Sequence, residues 1–515
     1  MRAAPPPRGR ATYGFASAGP GQEAETPPEL ADLGRLARRL VRTVVSTARA
    51  EDTSVRRLLT DHLGANVATL PVATASWPRY DHVNVQAGID AWLASPGIEH
   101  KVCGLIGFRH SMFGLPDLAQ SGPRQFGIGV GSVTTHALPA GPDGLTRACV
   151  QCALYLVTGL DGPLAVLMRG PEEHGPSEDV TIEIACADAA AGQRATQEIR
   201  RLALAHNVFR GHVISFGDEV FHHHRGALLT FLDRPSVSRD QVILPPDVLD
   251  GIDRQVLGVA RQAGRLLASG QHLKRGVLLY GAPGTGKTHT IRYLLSELSG
   301  RTVVVLSGSA LGMIAEACSV ARSLQPSMVV VEDVDLIAEE REYGMGQHPL
   351  LFQLLNEMDG LGEDLDVTFL LTTNRADLLE PALAQRPGRV DHASLLPMPD
   401  TDARLRLLQL YQGNLVLDLA DPDAVISRTA GVTASFMKEL LRRAALRAAD
   451  ETAAEADGPL RVTDAHLAAA LDQLLDASNQ LTRVLLGGSG PAAARRTSRP
   501  GRPGGADLSG QGDAG

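Results

Sequence analysis

Aromatic residues are scarce in this chain of 515 residues: Phe, Tyr and Trp together make up 4%. Any buried core must therefore be built mainly from Leu, Val and Ala. The five cysteines are an odd number spread thinly, which excludes a disulfide framework and fits a reducing compartment. No stretch approaches the roughly 18 to 20 continuous apolar residues that a membrane span needs. The opening stretch, Met1 to Pro28, has many prolines and no apolar block of the kind a signal peptide carries, so a cytoplasmic location is expected. Positive charge is also in deficit: 49 Lys and Arg against 58 Asp and Glu give a formal net charge of −9. No global basic field gathers nucleic acid, and a nucleic-acid motor would need a local basic stripe. What the chain does have is 44% hydrophobic and 21% charged residues over a length that allows several separately buried cores.

Residues 1–28 and 479–515 are rich in Gly, Pro, Ala and Ser and are expected to be disordered tails, because they cannot bury enough apolar surface to offset ordering entropy. Arg495, Arg496, Arg499 and Arg502 are read as solvated tail residues with no function. Residues 29–238 read as an α+β domain for a substrate or partner. Apolar residues recur at helical spacing from Leu33 to Val44, and a helical pattern runs from Ala195 to Ala205. Short apolar runs of strand length lie at Cys149–Thr158, Leu164–Met168, Val180–Ala185, Val213–Phe216 and Leu228–Leu232. Cys149 and Cys152 form a lone Cys-x-x-Cys on a strand pattern, whose three-residue offset sends the thiols to opposite faces, so core cysteines are expected rather than a metal site. His222, His223 and His224 are expected to diverge on a polar loop or strand end rather than to bind metal together.

From residue 239 the pattern changes to alternating strand and helix signals through residue 400, a parallel three-layer α/β core. Residues 401–478 then read as wholly helical, a smaller appended domain. Gly281-Ala282-Pro283-Gly284-Thr285-Gly286-Lys287-Thr288 fits G-x-x-x-x-G-K-[ST] and lies between the strand Val277–Tyr280 and the helix His289–Leu298, where a phosphate-binding P-loop belongs. The glycines let the backbone fold tightly with N–H groups inward, and the following helix adds its positive end. Lys287 would neutralise the β and γ phosphates, and the Thr288 hydroxyl would ligate Mg²⁺.

Met328-Val-Val-Val331 is a buried strand pattern that ends on Glu332 and Asp333 and aims these acids at the phosphates. Glu332 is assigned to the metal through its water shell, and Asp333 to polarising the attacking water. Asn374 follows the run Val367–Leu371, from which its amide reaches the γ-phosphate or the water. Asn374-Arg-Ala-Asp377 imitates the N-K-x-D guanine reader of GTPases. With Arg in place of Lys and an unlike sequence after it, ATP is expected over GTP.

GVLLYGAPGTGKT, MVVVEDVD, LLNEMDG and TTNRADLLEPALAQRPGRVD occur in the order and near the spacing of the AAA family of ring-forming ATPases, which this chain resembles from about Val242 to Ser478. The resemblance implies an α/β P-loop core with a helical lid, ATP and Mg²⁺ as ligands, and assembly as a homo-oligomer, most often a hexamer. It also implies that Arg386 and Arg389 of RPGR reach the γ-phosphate of a neighbouring subunit, a contribution worth about 10³ to 10⁵ in rate where it is made in trans. Three departures qualify it. Glu332 then Asp333 inverts the family's usual Asp-Glu order and looks like the branch containing the mitochondrial respiratory-complex assembly chaperone. Leu311-Gly-Met-Ile-Ala315 stands where threading members carry an aromatic pore loop, leaving Met313 or Ile314 as the gripping candidates. Gly431-Val-Thr-Ala434-Ser435 stands where the lid usually reads Gly-x-x-Gly-Ala next to adenine. The expectation is an ATP-hydrolysing remodeller of protein clients selected by the amino-terminal domain. The alternatives are a nucleic-acid-stimulated motor and a switch or scaffold with little turnover.

Overall fold

The computed structural model describes residues 54–108, 113–119, 128–159, 161–171, 179–216, 229–339, 349–360, 362, 364–377, 379, 389–451 and 458–475. The expectations for both tails, for Leu33–Val44, for His222–His224 and for Arg386 lie outside the described residues. No helix among the described residues is long and apolar enough to cross a membrane.

The amino-terminal sheet holds β1 (Val72–Trp77), β2 (Glu99–Ile106), β3 (Gly129–Gly131), β4 (Thr134–Pro139), β5 (Thr146–Gly159), β6 (Gly162–Arg169) and β7 (Val180–Ala185). Its order is β1-β7-β6-β5-β2-β3 with β4 also on β5, and every pairing is antiparallel. Alternation along β5 sends Tyr155 and Val157 to one face and Leu154 and Leu156 to the other. Helices α2 (His82–Leu93) and α3 (Ala189–Ala205) cover the first face through Ile89, Trp92 and Ile199. Helix α1 (Ser54–Leu63) covers the second through Val55 and Leu59. Cys149 and Cys152 fall in different apolar clusters, in line with the opposite-face reading.

The second sheet contains β8 (Val213–Phe216), β9 (Leu229–Leu232), β10 (Arg275–Tyr280), β11 (Thr302–Leu306), β12 (Ser327–Val331), β13 (Val367–Thr373) and β14 (His392–Leu395), in the order β14-β10-β13-β12-β11-β8-β9. All neighbours are parallel except β8 and β9. The strands are apolar on both faces because both are covered. One face packs α7 (Ile314–Ser323) and α9 (Pro349–Asp359), and the other packs α4 (Pro246–Asp253) and α6 (Lys287–Glu297). Between these run α5 (Val259–Ala268) and the short α8 (Asp335–Glu339). The lid comprises α10 (Thr401–Gln412), α11 (Pro422–Arg428), α12 (Ala434–Glu451) and α13 (Asp464–Leu475) around its own core of Leu408, Phe436, Leu440 and Leu471. It is not wholly helical: Val416–Asp418 and Arg461–Thr463 form a short parallel pair.

The structure corrects the expected boundary at residue 238. Strands β8 and β9 belong to the α/β sheet, with Val213, Ile214 and Ser215 paired in parallel to Val303, Val304 and Val305. Without them β11 would end the sheet as an apolar edge with unpaired N–H and C=O groups, and their addition moves that edge to a short antiparallel strand. The two bodies are fused further by one apolar cluster, in which Val83 and Cys149 join Phe216, Leu311 and Ile314. Tyr80 stacks edge-on against Phe216 with centroids 5.7 Å apart, and the Asn84 Oδ1 accepts from the Val208 N–H at 2.8 Å.

The same packing overturns a second expectation. Only Ser307 separates β11 from the 3₁₀ turn Gly308–Met313, and α7 begins at Ile314. Leu311 and Ile314 are buried in the shared cluster, so Ile314 is a core residue and not a gripping one.

Candidate functional site

Parallel register brings the chemistry to one edge of the sheet. Tyr280, the last residue of β10, lies beside Thr373 of β13, and Val331 of β12 lies beside Leu371. The residues that follow, Gly281, Asn374 and Glu332, therefore leave neighbouring strands at the same carboxyl end, where ligands of open α/β sheets bind.

The loop from Gly281 to Gly286 closes tightly because Gly281, Gly284 and Gly286 adopt φ of 151°, 81° and 103°, values costly for any side chain. The Thr285 hydroxyl donates to the Ala282 carbonyl at 2.9 Å and ties the loop across its base. Helix α6 starts at Lys287, so the N–H groups of its first turn have no intrahelical acceptor and face the loop's mouth with the helix's positive end. The Lys287 ammonium donates to the Gly281 and Ala282 carbonyls at 2.9 and 3.1 Å. Burial lowers its pKa, while the nearby carboxylates of Asp333 and Asp335 pull it back up. Thr288, next in the helix, is exposed.

Glu332 is half-buried at the tip of β12, anchored by its own N–H to the Leu306 carbonyl at 3.0 Å. Asp333 is exposed and has φ of 52°, a left-handed conformation that Asp and Asn tolerate better than most residues. Two contacts hold it there: its N–H donates to the Thr372 hydroxyl at 3.0 Å, and its carboxylate accepts from the Asn374 amide at 3.2 Å. Asp333 and Asn374, expected from separate strands to share a water, are thus adjacent. The Asp377 carboxylate accepts from Arg375 at 2.9 and 3.0 Å within an exposed turn, so the side chain that would read guanine is engaged with its own neighbour.

Sequence reasoning missed Asp335. Its buried Oδ1 accepts from the Thr373 hydroxyl at 2.8 Å and from the Asn374 N–H at 3.1 Å, and so fixes the direction in which Asn374 leaves β13. The available signal was a third acid two positions past Asp333, which the turn carries back beneath the sheet tip. Asp335→Ala leaves the buried Thr373 hydroxyl and the half-buried Asn374 N–H without their acceptor. We expect a loss of about 1–3 kcal/mol in chemical denaturation and a fall in turnover larger than the fall in nucleotide affinity.

The lid meets the loop directly. The Ser435 N–H donates to the Gly284 carbonyl at 3.2 Å, and a Cβ at Gly284 would lie 2.9 Å from the Thr433 hydroxyl and 3.0 Å from the Ser435 side chain. Gly284→Ala must displace the lid as well as strain the loop, where a left-handed φ costs a non-glycine residue about 1–2 kcal/mol. The expected result is a lower melting temperature together with weaker ATP binding in a titration.

Of the two arginines in RPGR, only Arg389 falls among the described residues. It does not lie at the loop. Its side chain is 4% exposed and paired with Asp359 at the carboxyl end of α9, beside Gly276 at the start of β10. Strand β10 separates it from its own P-loop by about 16 Å at the usual rise per residue.

Residues 277–398 match the model of the ATPase family associated with various cellular activities (AAA). Similar proteins include the ATP-dependent zinc metalloprotease FtsH of Nitrosococcus oceani, 32% identical over 218 residues, covering 40% of this chain and 34% of the relative. FtsH of Mycobacterium leprae is 32% identical over 230 residues, covering 42% and 28%, and FtsH of Mycobacterium tuberculosis 32% over 235 residues, covering 43% and 30%. The chain thus spans about a third of the length of these relatives. Its 515 residues contain no His-Glu-x-x-His sequence, and no group of three or more potential metal-binding side chains occurs among the described residues.

Proposed function

From the premise that this chain carries an ATPase domain of the AAA family, we propose that it hydrolyses Mg·ATP as a ring-forming homo-oligomer, a hexamer, and uses the energy to remodel protein clients. The observation that carries the reading is the convergence of Lys287, Asp333 and Asn374 at one edge of a parallel sheet, beside a loop whose three positive-φ positions are all glycines. In this reading ATP draws the Lys287 ammonium away from the Gly281 and Ala282 carbonyls onto its β and γ phosphates. The loop's N–H groups hold the remaining oxygens. Asp333, oriented by Thr372 and Asn374, accepts the proton of the attacking water while Asn374 holds that water in line. Thr288 and Glu332 are the hard oxygen donors suited to Mg²⁺, which when bound would neutralise charge on the phosphates. Arg386 of an adjacent protomer completes the site.

The lid acts as the sensor of the cycle. It touches the loop at Gly284, so a change in the loop on phosphate loss shifts Ser435 and α12 behind it. The client is proposed to be a protein, because the chain is acidic overall. It is engaged through the amino-terminal body and not threaded, because the turn between β11 and α7 is short, its Ala310 and Leu311 are buried in the cluster shared with that body, and Met313 packs half-buried against the same cluster. The protease chemistry in the relatives' name is not assigned to this chain.

Phosphate release from Mg·ATP, measured against protein concentration alongside light-scattering mass, tests the reading. The specific rate should rise with assembly. A strictly monomeric sample that hydrolyses as fast as the assembled one removes the trans arginine, and tight ATP binding without phosphate release makes the chain a switch. Strong stimulation by nucleic acid with steep salt dependence would favour a motor instead.

A further inference from the structure

Arg389 has the wrong environment for a residue that must present its charge to a neighbour. Its guanidinium is 4% exposed and donates to the Asp359 carboxylate, and its other terminal nitrogen, Nη1, is buried with no hydrogen-bond partner among the described residues. Its carbonyl presses on Gly276 so closely that a Cβ there would lie 2.0 Å away, and 2.9 Å from the end of the Met358 side chain. Two residues on, Asp391 grips Gly276 from both sides: its N–H donates to the Gly276 carbonyl and its Oδ2 accepts the Gly276 N–H, each at 2.9 Å. Asp359 itself is 52% exposed and closes α9, where the helix dipole disfavours a carboxylate. A nearby cation is what makes an acid acceptable at that end.

We propose that Arg389 is a positioning residue in its own subunit. With Asp359 it clamps the carboxyl end of α9 to the start of β10, and so fixes the root of the segment that carries Arg386. Arg386 alone then reaches the neighbouring phosphate. This rests on the ring-ATPase reading above and divides its two arginines between two roles.

The two roles predict opposite behaviour at Asp359, a half-exposed residue whose change to Asn keeps its shape. If Arg389 is the clamp, Asp359→Asn lowers kcat by about the same factor as Arg389→Ala, roughly tenfold or more. The double variant falls no further, because both changes break one contact. Nucleotide affinity and assembled mass stay as in the parent, which separates positioning from simple unfolding. The exchanged pair Asp359→Arg with Arg389→Asp recovers rate over Arg389→Ala, which a finger cannot do because the charge at 389 has changed sign. The proposal is overturned if Asp359→Asn hydrolyses at the parent rate or faster while Arg389→Ala is slow, since releasing a finger should not impair it. If the parent protein does not hydrolyse ATP at all, the ring reading fails by itself. The clamp is then decided by melting temperatures: a double variant no less stable than Arg389→Ala supports it, and additive losses overturn it.

Discussion

Lys287→Ala should weaken ATP binding by about 100-fold or more, an effect readable in an equilibrium titration. Charge-assisted hydrogen bonds each contribute about 1.5–3 kcal/mol, and the loss of this side chain removes the only lysine among the loop's eight residues. The amide cradle and the helix's positive end remain, so the variant should fold and keep residual affinity for phosphates. Its melting temperature in the absence of nucleotide should fall little, because the lysine's contacts with Gly281 and Ala282 are made by a cation that burial disfavours. The pH dependence has a definite sign. Burial lowers the pKa of Lys287 in the nucleotide-free protein, so as pH rises the ammonium loses its proton before an ordinary lysine would. A bound triphosphate favours the charged form, so affinity should decline towards alkaline pH, with proton uptake on binding there. Retention of parent affinity in Lys287→Ala would remove this residue from the phosphate site.

The site and the lid were unequally legible in the sequence. The P-loop could be read because its geometry depends on residue types that carry the conformation themselves: glycines for left-handed φ, then Lys and Thr at the helix start. Glu332, Asp333 and Asn374 could be read because each follows an apolar strand run, and parallel pairing puts all such ends on one edge. The boundary at residue 238 misplaced β8 and β9, because a short apolar run does not declare which sheet it joins. That choice is made by the unpaired edge of β11, some 90 residues further along the chain. Strands β1 to β4 were missed for a related reason. Much of β2 and β4 is exposed, so they lack the continuous apolar run that marked β5 and β6. The roles of Asp335 and Asp359 depend on partners more than 25 residues away, to which spacing along the chain is blind.

Asp333→Asn should bind Mg·ATP and fail to turn it over, with hydrolysis reduced by about 10² to 10⁴, the range that a positioned general base supplies. The substitution isolates the chemistry because Asn is nearly isosteric and tolerates left-handed backbone as well as Asp does, so the φ of 52° and the N–H contact with Thr372 survive. The side chain also keeps an oxygen for the Asn374 amide, and what it loses is the capacity to take a proton. This backbone gives a physical reason for the inverted acid order. A longer Glu at 333 gains nothing from the local hydrogen bonds that let Asp occupy this conformation, whereas Glu332 sits at the end of an extended strand, where length is tolerated and reach is useful. Asp333→Glu is therefore expected to be less stable than Asp333→Asn in denaturant, by up to about 1 kcal/mol, even though it preserves the carboxylate. The paired measurement is single-turnover hydrolysis beside nucleotide affinity for both variants. Undiminished phosphate release by Asp333→Asn would place the base elsewhere. Equal stability of Asp333→Glu and the parent would show that the backbone does not select the shorter acid.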